Sequence, residues 1–235
     1  MSVTPGSLAR LRKTVARHVR RGFVRAVFVR PGGDSEEELV EGTGEGLDAD
    51  AITGLLERAS AAAREGRVKQ TYVLDARTRL TVDARHGAGK LVELDDARID
   101  KMTAGNKRAL RPDVSGDLLR AIGIMNPDGT ISTKHAKKYK QVTHFVELCR
   151  PIWEALARVR TIDEGAPLRV VDLGCGNGYL TFVIAEALRL QALPARIVGV
   201  DVREDVITRC RERAAALGWS EMGFERTAIT EAGQL

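Results

Sequence analysis

The sequence predicts an α/β fold for the C-terminal part of the chain, preceded by a small α+β domain. Residues 168–173 form a short apolar run of the kind that is buried in a parallel sheet. A glycine-rich turn and an amphipathic helix follow it, and then a second apolar run at 196–201 and a second helix at 204–217. Alternation of strand and helix at these lengths is typical of a right-handed parallel unit.

The composition excludes several classes of protein. Hydrophobic residues make up 43% and charged residues 29% of the 235 residues, which is typical of a folded globular chain. The apolar runs are too short to span a membrane, so we expect no membrane partner. The three cysteines form no C-x-x-C pair and the four histidines are scattered. We therefore expect no disulfide scaffold, no metal site and a cytoplasmic location.

Basic residues are distributed unevenly along the chain. The net charge is +5, yet residues 1–30 hold eight Arg or Lys and no acid, and residues 98–140 hold ten basic residues against four acids. Such segments suit a polyanion, because each cation near a phosphate releases condensed counterions. We therefore predict RNA as a partner of both segments, and a solvated charged surface is the other interpretation. With aromatic residues at 4%, a base-stacking platform is not favoured.

The α+β domain is predicted over residues 1–97, and its sequence carries no recognisable chemistry. Apolar residues at helical spacing from Leu8 to Phe23 predict a basic amphipathic helix. The other predicted elements are a strand at 23–29, an acidic glycine-rich loop up to Gly46, a helix at 48–64, and strands at 68–74 and 79–85.

Residues 98–140 are predicted to be a basic connector, and residues 141–235 the parallel α/β domain. A helix is expected from Val142, and Pro151 inside its apolar pattern predicts a kink or a break. Gly218 is placed to end the second helix of the parallel unit, and residues 222–228 are predicted to be a third strand.

The turn after the first parallel strand, residues 174–178, reads Gly-Cys-Gly-Asn-Gly and is called the glycine loop below. Glycine lets a ligand lie against the backbone because no Cβ blocks the approach. The helix that follows presents free N–H groups at its start. Asp201, at the end of the second strand, is placed to accept both hydroxyls of a ribose. Together these features indicate a nucleoside-containing cofactor.

The spacing of the glycines distinguishes between cofactors. The dinucleotide fingerprint G-x-G-x-x-G needs a glycine where this chain has Tyr179, which disfavours a nicotinamide dehydrogenase. Instead the third glycine is Gly178, and Asp172 stands two residues before the first. The resulting D-x-G-x-G-x-G pattern resembles motif one of the class I S-adenosylmethionine-dependent methyltransferases. The Gly-Val-Asp sequence at 199–201 resembles the second motif of the same family.

This resemblance implies a Rossmann-like domain, S-adenosylmethionine as cofactor and methyl transfer as activity. It implies that the three glycines lie under the methionine and ribose portions of the cofactor. The first carboxylate would orient the amino group, the second would bind the ribose hydroxyls, and the valine after it would flank the adenine. The implied cofactor-binding residues are Asp172, Gly174, Cys175, Gly176, Gly178, Asp201 and Val202.

The sequence from Lys137 to Gln141 also resembles a branch of this family in which a similar helix precedes motif one, and some members of that branch are associated with RNA modification. In this interpretation Lys140 and Gln141 reach the cofactor pocket. The competing interpretation is the solvated start of a helix.

Methyltransferases of this class resemble one another in a seven-stranded sheet, and their acceptor and catalytic residues follow strands four to six. Residues 168–235 have room for three strands. We therefore expect the N-terminal part of such a domain, with an unpaired edge on its first strand and the remainder in the same or another chain. No catalytic residue is predicted. RNA is the favoured acceptor, and the alternatives are a small-molecule or protein acceptor and a non-catalytic cofactor-binding or RNA-binding module.

Overall fold

The computed structural model describes residues 3–32, 37–103, 105 and 110–234. It divides into two compact units. The first unit comprises the described parts of Met1–Lys101 together with Met125–Thr130, and the second comprises those of Met102–Ile124 and Ile131–Leu235. None of the helices in the described parts of the chain is long and apolar enough to cross a membrane.

The first unit contains a five-stranded antiparallel sheet with the strand order β2-β1-β3-β4-β5. Its elements are α1 (Pro5–Val19), β1 (Arg25–Val29), β2 (Glu38–Glu41), α2 (Ala49–Arg64), β3 (Lys69–Val73), β4 (Thr78–Asp83) and β5 (Ala88–Glu93). A short helix, α3 (Asp96–Thr103), follows. The predicted α+β class is confirmed.

The prediction of an uninterrupted loop up to Gly46 is wrong. Residues 38–41 form β2, an edge strand that pairs with β1 so that Val40 lies opposite Ala26. The sequence analysis also missed β5, the opposite edge strand, whose residues are mostly exposed. Edge strands contribute few buried side chains, so their apolar pattern in the sequence is weak.

Local chemistry explains where α1 begins and which side of it is buried. The Thr4 hydroxyl accepts a hydrogen bond from the Ser7 backbone N–H at 3.1 Å, and the Ser7 hydroxyl accepts one from the Thr4 N–H at 3.0 Å. This reciprocal capping satisfies two N–H groups that a helix start leaves unpaired. Leu11, Val15 and Val19, spaced four residues apart, are fully buried against the sheet core. The amphipathic helix predicted here is confirmed.

The second unit contains a three-stranded parallel sheet with the order β6-β7-β8. Its elements are α4 (Gly116–Ala121), α5 (Thr133–Val159), β6 (Leu168–Leu173), α6 (Tyr179–Leu190), β7 (Ala195–Asp201), α7 (Glu204–Leu217), β8 (Met222–Arg226) and a 3-10 helix (Ile229–Gln234). The α/β class and the strand–helix order are confirmed, and Gly218 ends α7 in the left-handed conformation, with φ of 69°. A break at Pro151 is not found, because α5 continues through it.

Packing in the second unit centres on the aromatic side chain of Phe182. The Phe182 ring is fully buried and stacks on Phe224 at 5.3 Å between ring centroids, with Trp219 at 6.0 Å. Among the described residues β6 pairs with β7 alone, and Val171 and Leu173 on it are 41% and 51% exposed. The expected unpaired edge of the first parallel strand is therefore present.

Candidate cofactor site

The glycine loop lies at the carboxyl end of the parallel sheet, where β6 leads into α6. The backbone N–H groups of Gly174 and Cys175 both donate to the carbonyl oxygen of Val200 on β7, at 2.9 and 2.8 Å. The Gly178 N–H then donates to the Cys175 carbonyl oxygen at 2.9 Å. These bonds fasten the loop to the neighbouring strand, so its shape is set before any ligand binds. In open parallel sheets this edge is where ligands bind.

All three glycines of the loop have positive φ, 77° at Gly174, 52° at Gly176 and 69° at Gly178. Side chains rarely adopt such angles. A Cβ at Gly178 would also lie 2.9 Å from the Cys210 Sγ, so this position faces the packed interior. A Cβ at Gly176 would have no atom within 4 Å. The loop is thus closed on its Gly178 side and open at Gly176, where a ligand can lie against the backbone.

Asp201 braces the glycine loop from the end of β7. Its Oδ2 accepts a hydrogen bond from the Gly176 N–H at 2.9 Å, and its Oδ1 accepts one from the Arg203 N–H at 2.9 Å. A carboxylate has about four acceptor sites, so both oxygens can still accept from ribose hydroxyls. Asp201, which is predicted to bind the ribose hydroxyls, therefore also helps to shape the loop.

Asp172 lies at the end of β6 and is held by a residue that the sequence analysis missed. The fully buried Thr181 hydroxyl donates to the Asp172 Oδ2 at 2.5 Å. This bond fixes the orientation of the carboxylate that the resemblance assigns to the amino group of the cofactor. Thr181 could have been identified from the sequence as a hydroxyl residue on the buried side of the otherwise apolar start of α6.

Two exposed apolar side chains flank the loop. Val202, directly after Asp201, is 60% exposed. Ile229 on the 3-10 helix is 56% exposed, and a Cβ at Gly174 would lie 3.7 Å from its Cδ1. Exposed apolar groups beside a polar loop are suited to the face of an aromatic base. Val202 was predicted, whereas Ile229 lies beyond both motifs and was missed.

Cys175 contributes packing to the loop. Its thiol lies 3.8 Å from the Gly176 carbonyl oxygen, and the Cys210 thiol approaches the same oxygen at 3.6 Å. Burial raises the pKa of Cys175 to about 12, with smaller contributions from Cys210 and the nearby carboxylates Asp172 and Asp201. A thiol with such a pKa stays protonated at neutral pH and is a poor nucleophile.

Two cations hold the far end of the loop. The Lys138 Nζ, from α5, lies 3.3 Å from the centroid of the Tyr179 ring, which is a cation–π contact. The Arg213 Nη1, from α7, donates to the Asn177 carbonyl oxygen at 2.6 Å. The structure thus places Lys138 at the loop, and the side chains of Lys140 and Gln141 are exposed.

These features match the groups that S-adenosylmethionine carries. The open backbone at Gly176 accommodates a ligand that lies against it, and Asp201 is oriented as an acceptor for hydroxyls. Asp172 supplies negative charge for an ammonium group, and Val202 supplies apolar surface for adenine. The residues present therefore fit this cofactor.

Comparison with known proteins finds a family model that matches most of the second unit. Residues 137–234 match the family model described as a methyltransferase domain. The part of the chain that carries the glycine loop is therefore similar to a methyltransferase domain.

The similar proteins cover limited parts of the chain. A protein-lysine N-methyltransferase, efm4 of Schizosaccharomyces pombe, is 43% identical over 56 residues, which are 23% of this chain and 24% of that protein. The bifunctional kinase-methyltransferase WbdD is 28% identical with a TM-score of 0.30, over 38% of this chain and 18% of that structure. The CMeT domain of the citrinin polyketide synthase is 13% identical with a TM-score of 0.32, over 93% and 56%. The chain thus spans about a quarter of the curated relative that it matches.

Proposed function

We propose that the protein binds S-adenosylmethionine at the glycine loop and transfers its methyl group to a side-chain amine of another protein. The observation that carries the cofactor part is the loop itself, which is open at Gly176 and braced by Asp201 through the Gly176 N–H. A preformed loop costs little ordering on binding, because its backbone bonds to Val200 already exist.

Each site residue then has a defined task. Asp201 accepts the ribose hydroxyls while holding the loop, and Val202 covers one face of the adenine. Asp172, oriented by Thr181, accepts from the ammonium group of the methionine portion. Two carboxylates near a ligand that carries an ammonium and a sulfonium also lower the electrostatic cost of binding.

When bound, S-adenosylmethionine would supply a methyl group on a sulfonium for transfer to a neutral amine, with the thioether as leaving group and the amine proton going to solvent or a base. The protein's contribution to such a transfer is positioning. The described site residues position the donor, and none of them is assigned as a base.

The acceptor is proposed from the similarity to a protein-lysine N-methyltransferase, which the chain matches at 43% identity over 56 residues. RNA, the acceptor that the sequence analysis favoured, finds no support among these relatives. It remains the second candidate because of the acid-free basic segment at residues 1–30.

The test is transfer of a radiolabelled methyl group from S-adenosylmethionine to a cell lysate, with wild type beside Asp201→Ala and the exposed control Glu212→Ala. We expect label that protease removes and ribonuclease does not, recovered as methyl-lysine. It should be lost with Asp201→Ala and kept with Glu212→Ala. If ribonuclease removes the label, the acceptor is RNA and the proposal of a protein acceptor is wrong. Cofactor binding without transfer to either would identify a non-catalytic module.

A further inference from the structure

The first unit carries a row of cations on the exposed side of α1. Arg10, Lys13 and Arg17, with Arg20 at the helix end, are all exposed. Their spacing of three, four and three residues keeps them within one narrow strip of the helix surface, since 3.6 residues make a turn. The strip is about 15 Å long at 1.5 Å per residue. These four residues are called the basic face.

The basic face has no acidic partner within the described part of the chain. None of its four side chains forms an ion pair there, and the first 30 residues contain no acid at all. Two other arginines of the same unit do have acidic partners, since Arg25 pairs with Glu41 and Arg58 with Glu38. A row of unneutralised like charges raises the free energy of the folded unit, and an anionic partner relieves it.

The opposite side of α1 argues against a membrane as that partner. A helix that binds a lipid surface inserts an apolar face into the bilayer. In α1 the apolar residues Leu11, Val15 and Val19 are fully buried in the core of the unit. Only the charged side is available for binding, and it offers nothing to insert.

The second basic segment, residues 98–140, is different from α1. Arg111 pairs with Asp113 at 2.9 Å, and Arg120 pairs with Asp117. Lys138 lies against the Tyr179 ring. The described residues of this segment thus include local ion pairs and a cation–π contact, whereas α1 carries a row of four exposed cations without an acidic partner in the described part of the chain.

We propose that the basic face of α1 binds the phosphate backbone of single-stranded RNA. Successive cations lie about 4.5 to 6 Å apart along the helix axis, and a flexible strand can bring consecutive phosphates to such a row. With aromatic residues at 4% of the chain, binding rests on phosphates and shows little base preference. This contact is independent of the proposed cofactor site and does not make RNA the methyl acceptor.

The salt dependence of binding gives a quantitative expectation. Four phosphate contacts to a single strand predict a slope of about −2.8 in log K against log salt concentration. Affinity should then fall roughly fiftyfold between 50 and 200 mM salt. The triple variant Arg10→Gln/Lys13→Gln/Arg17→Gln leaves one contact, so its remaining affinity should fall only about threefold over the same range.

The experiment is fluorescence anisotropy of the full chain, without S-adenosylmethionine, on a labelled mixed-sequence RNA of about 20 nucleotides, several times the span of four phosphate contacts. Its matched control, Arg64→Gln/Lys69→Gln/Lys90→Gln, removes three exposed cations of the same unit. We expect the control to keep the wild-type slope and the α1 variant to lose it, with unchanged far-UV circular dichroism. Equal losses in both variants, a flat salt response, or equal or tighter binding to duplex DNA or polyglutamate would overturn the proposal.

Discussion

At the scale of single residues, the carboxylates of this site work through partners that hold them in place. The Asp172 carboxylate accepts from the buried hydroxyl of Thr181. Motif reasoning identifies Asp172 because acids recur at that place before a glycine loop. It does not identify Thr181, whose contribution depends on a hydrogen bond that forms only when β6 and α6 pack together.

Replacing Thr181 with valine keeps the volume of the side chain but removes the hydroxyl. We expect Thr181→Val to weaken S-adenosylmethionine binding several-fold and to cost about 1 kcal/mol of stability, since the Asp172 carboxylate loses its donor. Thr181→Ser retains the hydroxyl and should bind close to wild type. Calorimetric titration and thermal unfolding of the three proteins measure both effects. Wild-type affinity in the valine variant would show that Asp172 needs no positioning.

At the scale of elements, the turn from β6 into α6 is the feature that the sequence predicted best. Its glycines fall where the backbone has positive φ and where β7 approaches closely. The edge strands β2 and β5 were missed because each is stabilised by pairing with a neighbour rather than by an apolar pattern of its own. The cation–π contact of Lys138 with Tyr179 was missed for a similar reason, because it joins residues 41 positions apart in the sequence.

Two glycines allow the stability cost of an unfavourable backbone conformation to be separated from the cost of overpacking. Gly178 and Gly218 both have φ of 69°, but a Cβ at Gly178 meets the Cys210 Sγ at 2.9 Å while one at Gly218 meets nothing within 4 Å. Gly218→Ala should therefore cost about 1 to 2 kcal/mol for the left-handed backbone alone. Gly178→Ala should cost more, by about 1 to 3 kcal/mol of overpacking, and should abolish cofactor binding. Chemical denaturation measures the difference, and equal losses would contradict the packing account.

At the scale of the whole molecule, the chain has two units, each with its own sheet. The fold class of each unit was predictable from the sequence, because α1 and the β6–α6–β7 segment carry strong periodic patterns of apolar residues. Residues 125–130 belong to the first unit although they follow residues assigned to the second. No local sequence pattern predicts that residues 125–130 belong to the first unit, because this depends on packing between segments that are distant in the sequence.

Because the proposed cofactor residues all lie in the second unit, ligand stabilisation should be confined to it. At 100 times its dissociation constant a ligand stabilises the state that binds it by about 2.7 kcal/mol. We expect S-adenosylmethionine to slow hydrogen exchange in β6, the glycine loop and β7, and to leave β1, β3 and β4 unchanged. Mass spectrometry of peptic fragments gives both readouts from one sample. Protection of the first unit alone would place the cofactor elsewhere.

If Asp201 and the glycine loop form the cofactor site, calorimetric titration with S-adenosylmethionine should show it. Wild type should bind, and Glu212→Ala, which removes an exposed acid on α7, should bind equally well. Asp201→Ala should bind roughly thirtyfold more weakly, a loss of about 2 kcal/mol, because it loses the ribose contacts and the brace to Gly176. Equal affinity of Asp201→Ala and wild type, or no binding by folded wild-type protein, would contradict the account.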